Sequence, residues 1–424
     1  MAQKRTAITS PPRKYSFHDQ LYRTSPLPAK TKAIKEMRIS VNYSESTTTF
    51  ELPTSPVHSV NLSTGKRLVF EKPLTALSLF SGGGGLDLGF SAAGFAVGCS
   101  SDIDTFSCKT LLLNNHKKSF YTHAHSIAAD IRKMSAAHLL KEANITGQID
   151  IVLGGPPCQA FSVFGQRKGM QDPRGNLVWE YLRIIKEVKP KAFLFENVAG
   201  LKSIHGGELY GEILQQLTAC GYTVSAHSYQ VAEFGIPQFR DRVFFIGARN
   251  GNLVPPMKPT HGNNAQSVTN YRTASEALRF LPEPGLASDI PNHIGRKHSR
   301  RIITRYQKLE FGERDPKTRI NKLNPARPSF TIIVGSDKGG GKGHVHPFVP
   351  REVTPRESAR MQTFPDWWEF HGTGRHVIRQ VGNAVPPLFA AVLAEHVKMH
   401  VFGAKKKKSY EELIEILGLD YLRE

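Results

Sequence analysis

Ile149-Asp150-Ile151-Val152-Leu153-Gly154-Gly155-Pro156-Pro157-Cys158-Gln159-Ala160-Phe161-Ser162 is the stretch on which the reading of this chain turns. Residues 149–153 form a short apolar, β-branched run closed by glycine, which reads as a buried strand. Two glycines then free the backbone and two prolines stiffen it. Cys158 stands at the exit. A thiol on a pre-shaped loop at the carboxyl end of a parallel strand is where an α/β enzyme carries a nucleophile. A lone cysteine is more often inert core, but a core cysteine needs no such loop, so Cys158 reads as reactive.

Upstream, Leu74 to Phe80 reads as a strand running into Ser81-Gly82-Gly83-Gly84-Gly85-Leu86, a glycine loop that opens a helix. Such a loop lets backbone amides approach a ligand closely. It is not the dinucleotide fingerprint, because the third glycine would fall at position 87, which is aspartate. A nucleoside ligand without a phosphate chain suits that carboxylate better. A second strand, Phe95 to Cys99, leads to Asp102, about twenty residues after the first glycine and placed to hold ribose hydroxyls. Asp104 suits a helix N-cap. After a third strand comes Asp130-Ile131, where a carboxylate could accept from an adenine amino group; alone, Asp130 is only a turn residue.

Downstream, Lys191 to Phe195 is a strand with Glu196-Asn197-Val198 at its end. Two consecutive strand ends thus bring a thiol and a carboxylate to one edge of the sheet, where Glu196 could act as an acid. Glu196 by itself would read as a helix-capping acid. Gln238-Phe239-Arg240-Asp241-Arg242 precedes the strand Val243 to Ala248, and its arginines suit bidentate contact with a polar ring or phosphate. Gly165 to Gly175, with Arg167, Lys168 and Arg174, has the composition of a mobile lid that meets phosphate.

The 424 residues carry 56 Lys and Arg against 36 Asp and Glu, a net charge of +20. That excess answers a polyanion, nucleic acid before membrane. No apolar run reaches the roughly 18 residues of a membrane span, and the basic N-terminus lacks a signal's apolar core. Cys99, Cys108, Cys158 and Cys220 form no CxxC pair, so neither a disulfide framework nor a zinc site is expected. His344 and His346 lack a third ligand cluster, and no metal is assigned.

Residues 1–73 read as a basic, Ser/Pro-rich extension in which Met37 to Val41 and Thr47 to Leu52 could pair as strands. Residues 74–249 read as the catalytic and ligand-binding domain. Residues 250–345 change character and carry the basic stretch Arg296, Lys297, Arg300 and Arg301, as expected of an inserted DNA-facing lobe. Regular structure returns at Ser329 to Val334. Residues 346–402 return to the catalytic domain through the helix start at Thr354-Pro355-Arg356-Glu357 and a final apolar helix, Leu388 to Val401. In the 403–424 tail, Lys405 to Lys408 reads as solvated charge, and Ser409 to Glu412 as a capping box.

Phe80-Ser81-Gly82, Asp102, Gly155-Pro156-Pro157-Cys158-Gln159, Glu196-Asn197-Val198, Gln238-x-Arg240-x-Arg242 and Gly382-Asn383-x-Val385, in that order, resemble the DNA (cytosine-5)-methyltransferases of restriction–modification systems. Arg356-Glu357-x-x-Arg360-Met361-Gln362-x-Phe364-Pro365 matches a further block of that family. The resemblance spans roughly residues 74 to 402. It implies an α/β fold, the Rossmann-like sheet of S-adenosylmethionine-dependent methyltransferases, mostly parallel with helices on both faces, plus a smaller irregular target-recognition lobe.

By that resemblance Phe80, Ser81, Gly82, Gly84, Gly85 and Leu86 surround S-adenosylmethionine. Asp102 and Ile103 hold its ribose side, Asp130 and Ile131 its adenine, and Pro156, Asn383 and Val385 close the rest. Cys158 adds to C6 of a cytosine, Glu196 holds or protonates N3, and Arg242 places the ring. Arg240 takes the more structural part of that pair, yet also stands among the expected DNA contacts with Gln159, Ser162 and Arg167 of the closing loop and with Arg296, Lys297, Arg300 and Arg301. The target base must flip out of the duplex. The resemblance further implies double-stranded DNA as partner, a monomer in a bacterial-type cytoplasm, and pairing with a restriction endonuclease of the same specificity. A tRNA substrate is disfavoured by the terminal Gly382-Asn383-Ala384-Val385 block and the basic insertion. A non-catalytic DNA binder is disfavoured by the intact Cys158, Glu196 and Arg242. A nicotinamide oxidoreductase fails on the glycine pattern.

Overall fold

The central strands grow out of the short apolar runs. The computed structural model describes residues 73–122, 125–157, 176–262, 269–286, 289–332, 334 and 343–423. The arm with its two expected strands, Cys158, Gln159, Ser162, Arg167 and the rest of the lid lie outside them. Among the described residues β1 (Thr75–Leu79), β2 (Ala96–Asp102), β3 (His125–Ala128), β4 (Ile151–Gly154), β5 (Ala192–Val198), β6 (Thr223–Gln230) and β7 (Asp241–Ala248) form one sheet, ordered β3-β2-β1-β4-β5-β7-β6. The first five pair in parallel, whereas β7 runs antiparallel to both β5 and β6.

Both faces of the sheet are buried, and the strand period of two divides side chains between them. Ala76, Ile151, Leu153 and Leu194 point to one core, and Leu77, Val152, Phe193 and Phe195 to the other. The first face is covered by α1 (Gly85–Ala92) and by Leu111 of α2 (Thr105–Asn114). The second is covered by α3 (Ala136–Glu142), α4 (Asn176–Val188) and α5 (Glu208–Ala219), through Leu139, Tyr181, Ile184, Ile213 and Leu217. Strand order reverses direction on either side of β1, so the crevice between the carboxyl ends of β1 and β4 is the switch point where such sheets bind ligands.

Residues 250–345 carry α6 (Ala274–Leu278), α7 (Arg300–Gln307) and isolated bridges instead of ladders. Where regular structure is expected from Ser329 on, the described residues show a single bridge: Ser329 pairs with Gln238, and Thr331 spends its hydroxyl on the Phe239 carbonyl at 2.6 Å. The segment's small cores extend past residue 345, joining Ala274 and Leu323 to Val353 and Met361.

The chain returns through α8 (Pro355–Met361), α9 (Gly374–Asn383) and α10 (Pro387–Phe402), followed by α11 (Tyr410–Leu417). The expected capping box is present at Ser409/Glu412, and the helix start expected at Thr354 proves to be a capping box as well, with Glu357. α10 is buried almost all round and packs on α1. Gly374–Phe402 is long and apolar enough to cross a membrane, but 83% of its most apolar window is buried inside the fold, as in a core helix. Lys408 is not solvated charge: its Nζ bonds Ala93 O at 2.9 Å and Glu395 Oε1 at 3.2 Å, closing the end of α1.

Candidate active site

One cavity of about 550 Å³ opens at the carboxyl edge of the sheet, large enough for a small molecule. Phe80, Ser81, Gly82, Gly85 and Leu86 line it after β1, and Asp102 and Ile103 after β2. Asp130 and Ile131 follow β3, Gly155 to Pro157 follow β4, and Glu196 to Val198 end β5. Arg242, and Asn383 to Val385 between α9 and α10, complete the wall. Residues up to 305 positions apart in the chain thus meet because parallel strands deliver all their carboxyl ends to one edge.

The nucleoside side is held by backbone. Asp102 Oδ2 accepts from Gly82 N and Oδ1 from Asp104 N, each at 2.8 Å. Burial nevertheless raises the Asp102 pKa above the ordinary carboxylate value. Ile103 beside it is 66% exposed, an apolar surface lining the cavity. Phe80 adopts φ +55, a left-handed conformation that costs a non-glycine residue of order 1–3 kcal/mol and collects at functional sites.

The glycine loop is tight where it meets the chain's return. Gly84 does not line the cavity but packs beneath it: a Cβ there would stand 2.6 Å from Leu111 and 2.9 Å from Trp368. A Cβ on Gly85 would stand 2.0 Å from the Val385 carbonyl oxygen. Gly85→Ala is therefore expected to push α1 away from the α9–α10 junction. The variant should lose about 1–3 kcal/mol of stability, the usual cost of overpacking, and weaken cofactor binding in titration calorimetry; unchanged melting and binding would refute the close approach.

The opposite wall is catalytic in character. Because β7 is antiparallel, its beginning lies at the same edge as the end of β5, with Val198 opposite Arg242 and Glu196 opposite Phe244. Glu196 and Arg242 are therefore diagonal neighbours, and Arg242 Nε stands 2.9 Å from Glu196 Oε1. Glu196 is 8% exposed. Its other oxygen lies against Gly155, where a Cβ would stand 2.8 Å away and the carboxylate would have to shift. Asn197, given no separate role from sequence, ties the β4 loop to β5: its Nδ2 donates to Pro156 O at 3.1 Å while its Oδ1 accepts from Val198 N. The carboxylate, the guanidinium and the loop that leads into Cys158 are thereby held together.

Two expectations need correction. Arg240 is not on the surface: it is 1% exposed, donating to Gly382 O at 2.8 Å and Asn383 O at 3.3 Å. Burial pushes its pKa well below the ordinary guanidinium value. It braces the α9–α10 junction and has no surface to offer DNA. Asp130 caps a short 3₁₀ turn, and both of its oxygens are engaged by Arg132, whose bond to it holds the carboxyl below its ordinary pKa. Asp130 still lines the cavity, so a ligand there meets a carboxylate already oriented by Arg132 and not a free one. Arg296, Lys297, Arg300 and Arg301 are exposed on and before α7, outside the cavity. His346 is buried, with Nδ1 accepting from Phe348 N and Val349 N, a structural use.

A search of protein-family models matches residues 74–399 to the C-5 cytosine-specific DNA methylases. The chain belongs to that family. It is 34% identical over 353 residues to the Type II methyltransferase M1.HphI of Haemophilus parahaemolyticus, covering 80% of this chain and 91% of that one. It is also 34% identical over 367 residues to M.NgoFVII of Neisseria gonorrhoeae, covering 80% and 90%. Among solved structures it resembles an E. coli protein described as a DNA modification methyltransferase encoded within a prophage, with a TM-score of 0.63 and 26% identity over 78% of this chain and 100% of that one. As a DNA cytosine-5-methyltransferase it uses S-adenosylmethionine. The site suits that molecule: a half-buried carboxylate, Asp102, for hydroxyls, an exposed apolar Ile103 for a ring, and a loop so close to the Val385 carbonyl that only glycine fits at position 85.

Proposed function

We propose that this DNA methylase works through a covalent bond from Cys158 to C6 of a cytosine flipped out of the duplex, with Glu196 and Arg242 gripping the ring. The observation that carries this reading is the Glu196–Arg242 pair at 2.9 Å, set against the loop that leads into Cys158 and in the same cavity as Asp102 and Ile103. Phe80, Ser81, Gly82, Gly85, Leu86, Asp102, Ile103, Ile131, Asn383 and Val385 hold the cofactor. Bound there, S-adenosylmethionine supplies an electrophilic methyl group for C5. The residues do the rest. As the Cys158 thiolate attacks C6, charge builds at N3 and O2 of the ring. Glu196 holds or gives a proton at N3, which drains that charge, and Arg242 fixes the orientation of the carboxylate while adding positive potential. Positive charge near the loop also favours the thiolate, only a few per cent of which forms from an ordinary cysteine at neutral pH. After methyl transfer, loss of the C5 proton and of the thiol restores the aromatic ring.

Residues 250–345 serve as the target-recognition region and the 159–175 loop closes behind the flipped base. The relatives being Type II methyltransferases, the chain acts as the protective methylase of a restriction–modification system, paired with an endonuclease of the same specificity. The test is transfer of labelled methyl from S-adenosylmethionine to duplex DNA of varied sequence, beside tRNA. Label on C5 of cytosine in DNA alone supports the proposal; label on tRNA alone overturns it. DNA binding should weaken steeply with salt, with a log–log slope of about −0.9 per phosphate neutralised. Replacing both Arg300 and Arg301 with alanine should flatten that slope by about two units; an unchanged slope removes α7 from the DNA interface.

A further inference from the structure

The charges that line the cavity do not cancel. Arg132 pairs with Asp130 at 2.7 Å, Arg242 with Glu196 at 2.9 Å and Arg379 with Asp104 at 3.2 Å. Among the described residues this leaves Asp102 without a cation, bonded only to backbone amides. Behind it stands a second carboxylate in the same condition. Asp87, in the first turn of α1, is fully buried. Its Oδ1 accepts from Ser78 Oγ of β1 and its Oδ2 from Ser100 Oγ of β2, each at 2.5 Å. Ser78 Oγ in turn accepts from Ser81 Oγ at 2.9 Å, and Ser81 lines the cavity. A hydroxyl chain therefore runs from the cavity wall to a buried anion that no cation partners among the described residues.

Burying an unpaired carboxylate is costly. A cavity with two uncompensated anions in or behind its wall is complementary to a cation. The cofactor is one before reaction, a sulfonium, and is not one afterwards, a neutral thioether. We propose that Asp87 is a positioning and charge-discriminating residue: from behind Ser78 and Ser81 its carboxylate favours the sulfonium cofactor over the thioether product, so that loss of the methyl group loosens the product. This rests on the cofactor site proposed above and concerns its selectivity.

Burial raises the Asp87 pKa to about 6, against the two serine hydroxyls, which lower it, and with Asp102, which adds to the rise. The other titratable groups that feel Asp87 stay neutral through this range. Burial, helped by Asp87, pushes the Cys99 thiol up to about 12 and holds the Tyr121 phenol well above its usual value. Lys398, Lys408 and Glu395 pack at the far end of α1, around Ala93. Asp87 is thus ionised above about pH 6 and neutral below it. The preference for the sulfonium is present above that pH and lost beneath it.

The test is calorimetric titration of the full chain with S-adenosylmethionine and with S-adenosylhomocysteine between pH 5 and 8. Dividing the two dissociation constants cancels everything the two molecules share. For the wild type the preference for the sulfonium should fall by about tenfold, the equivalent of one pKa unit of linkage, as pH drops through 6. Asp87→Asn should show the low preference at every pH. Ser100→Ala, which removes one hydroxyl donor, should move the midpoint to higher pH and serves if the first variant does not fold. A preference that does not change with pH, an Asp87→Asn profile like that of the wild type (which would assign the titration to Asp102), or an unmoved Ser100→Ala midpoint would each overturn the proposal. Failure of S-adenosylhomocysteine to bind the wild type at pH 8 would instead sink the cofactor site itself.

Discussion

Cys158→Ser is expected to abolish methyl transfer while leaving cofactor binding intact. Serine keeps the shape but not the acidity: a hydroxyl is almost wholly un-ionised at neutral pH, whereas a cysteine offers a few per cent of a strong nucleophile. Removing a nucleophile from an enzyme that depends on it costs on the order of 10⁴-fold or more. The loss should lie in kcat, since the residues proposed to hold the nucleoside, Asp102 and Ile103, stand at the end of β2 and not of β4. A duplex carrying 5-fluorocytosine offers a second readout. Fluorine cannot leave C5 as a proton does, so the wild type should form a denaturation-resistant adduct and the serine variant none. Transfer by Cys158→Ser at more than about a tenth of the wild-type rate would end the covalent mechanism, because a serine hydroxyl in place of the thiolate cannot sustain attack at C6 at a comparable rate.

Glu196→Gln is the second large effect, a fall in kcat of about 10²–10⁴-fold, the range of general acid–base contributions. Glutamine is nearly isosteric and its oxygen can still accept from Arg242 Nε, so the 2.9 Å contact can survive. What is lost is a group able to carry a proton at N3. The measurement is single-turnover methyl transfer at saturating cofactor and DNA, with melting temperature as the control for folding. If the variant melts like the wild type and keeps its rate, the pair is merely a part-buried ion pair. Arg242→Ala should lose less, because it disorients Glu196 without removing it.

Much of this was legible from residues close together in the chain. The apolar run before Gly154 and the run before Gly82 each specify strand, loop and ligand-facing turn within about fifteen residues, because side-chain periodicity and glycine or proline chemistry act locally. Asp104 as an N-cap, the helix start at Thr354 and the capping box at Ser409 were readable for the same reason. Arg240 and Arg242 are the instructive pair. They look alike in sequence, two residues apart, and end in opposite environments. Arg242 faces the cavity beside Glu196, whereas Arg240 is sealed against the α9–α10 junction, more than a hundred residues away in sequence.

Asp87 was visible only as the residue that breaks a glycine fingerprint; its partners Ser78 and Ser100 come from two different strands. Asp130 was placed correctly at the end of β3, but Arg132 takes both of its oxygens. The sequence by itself determined the parallel strands, the glycine loop and the order of the site motifs, since these depend on local backbone preference and burial pattern. Only the tertiary structure decided which charges meet. Pairing depends on strand order and on the reversed direction of β7, and in a buried site the nearest opposite charge, not the nearest in sequence, sets what each group does.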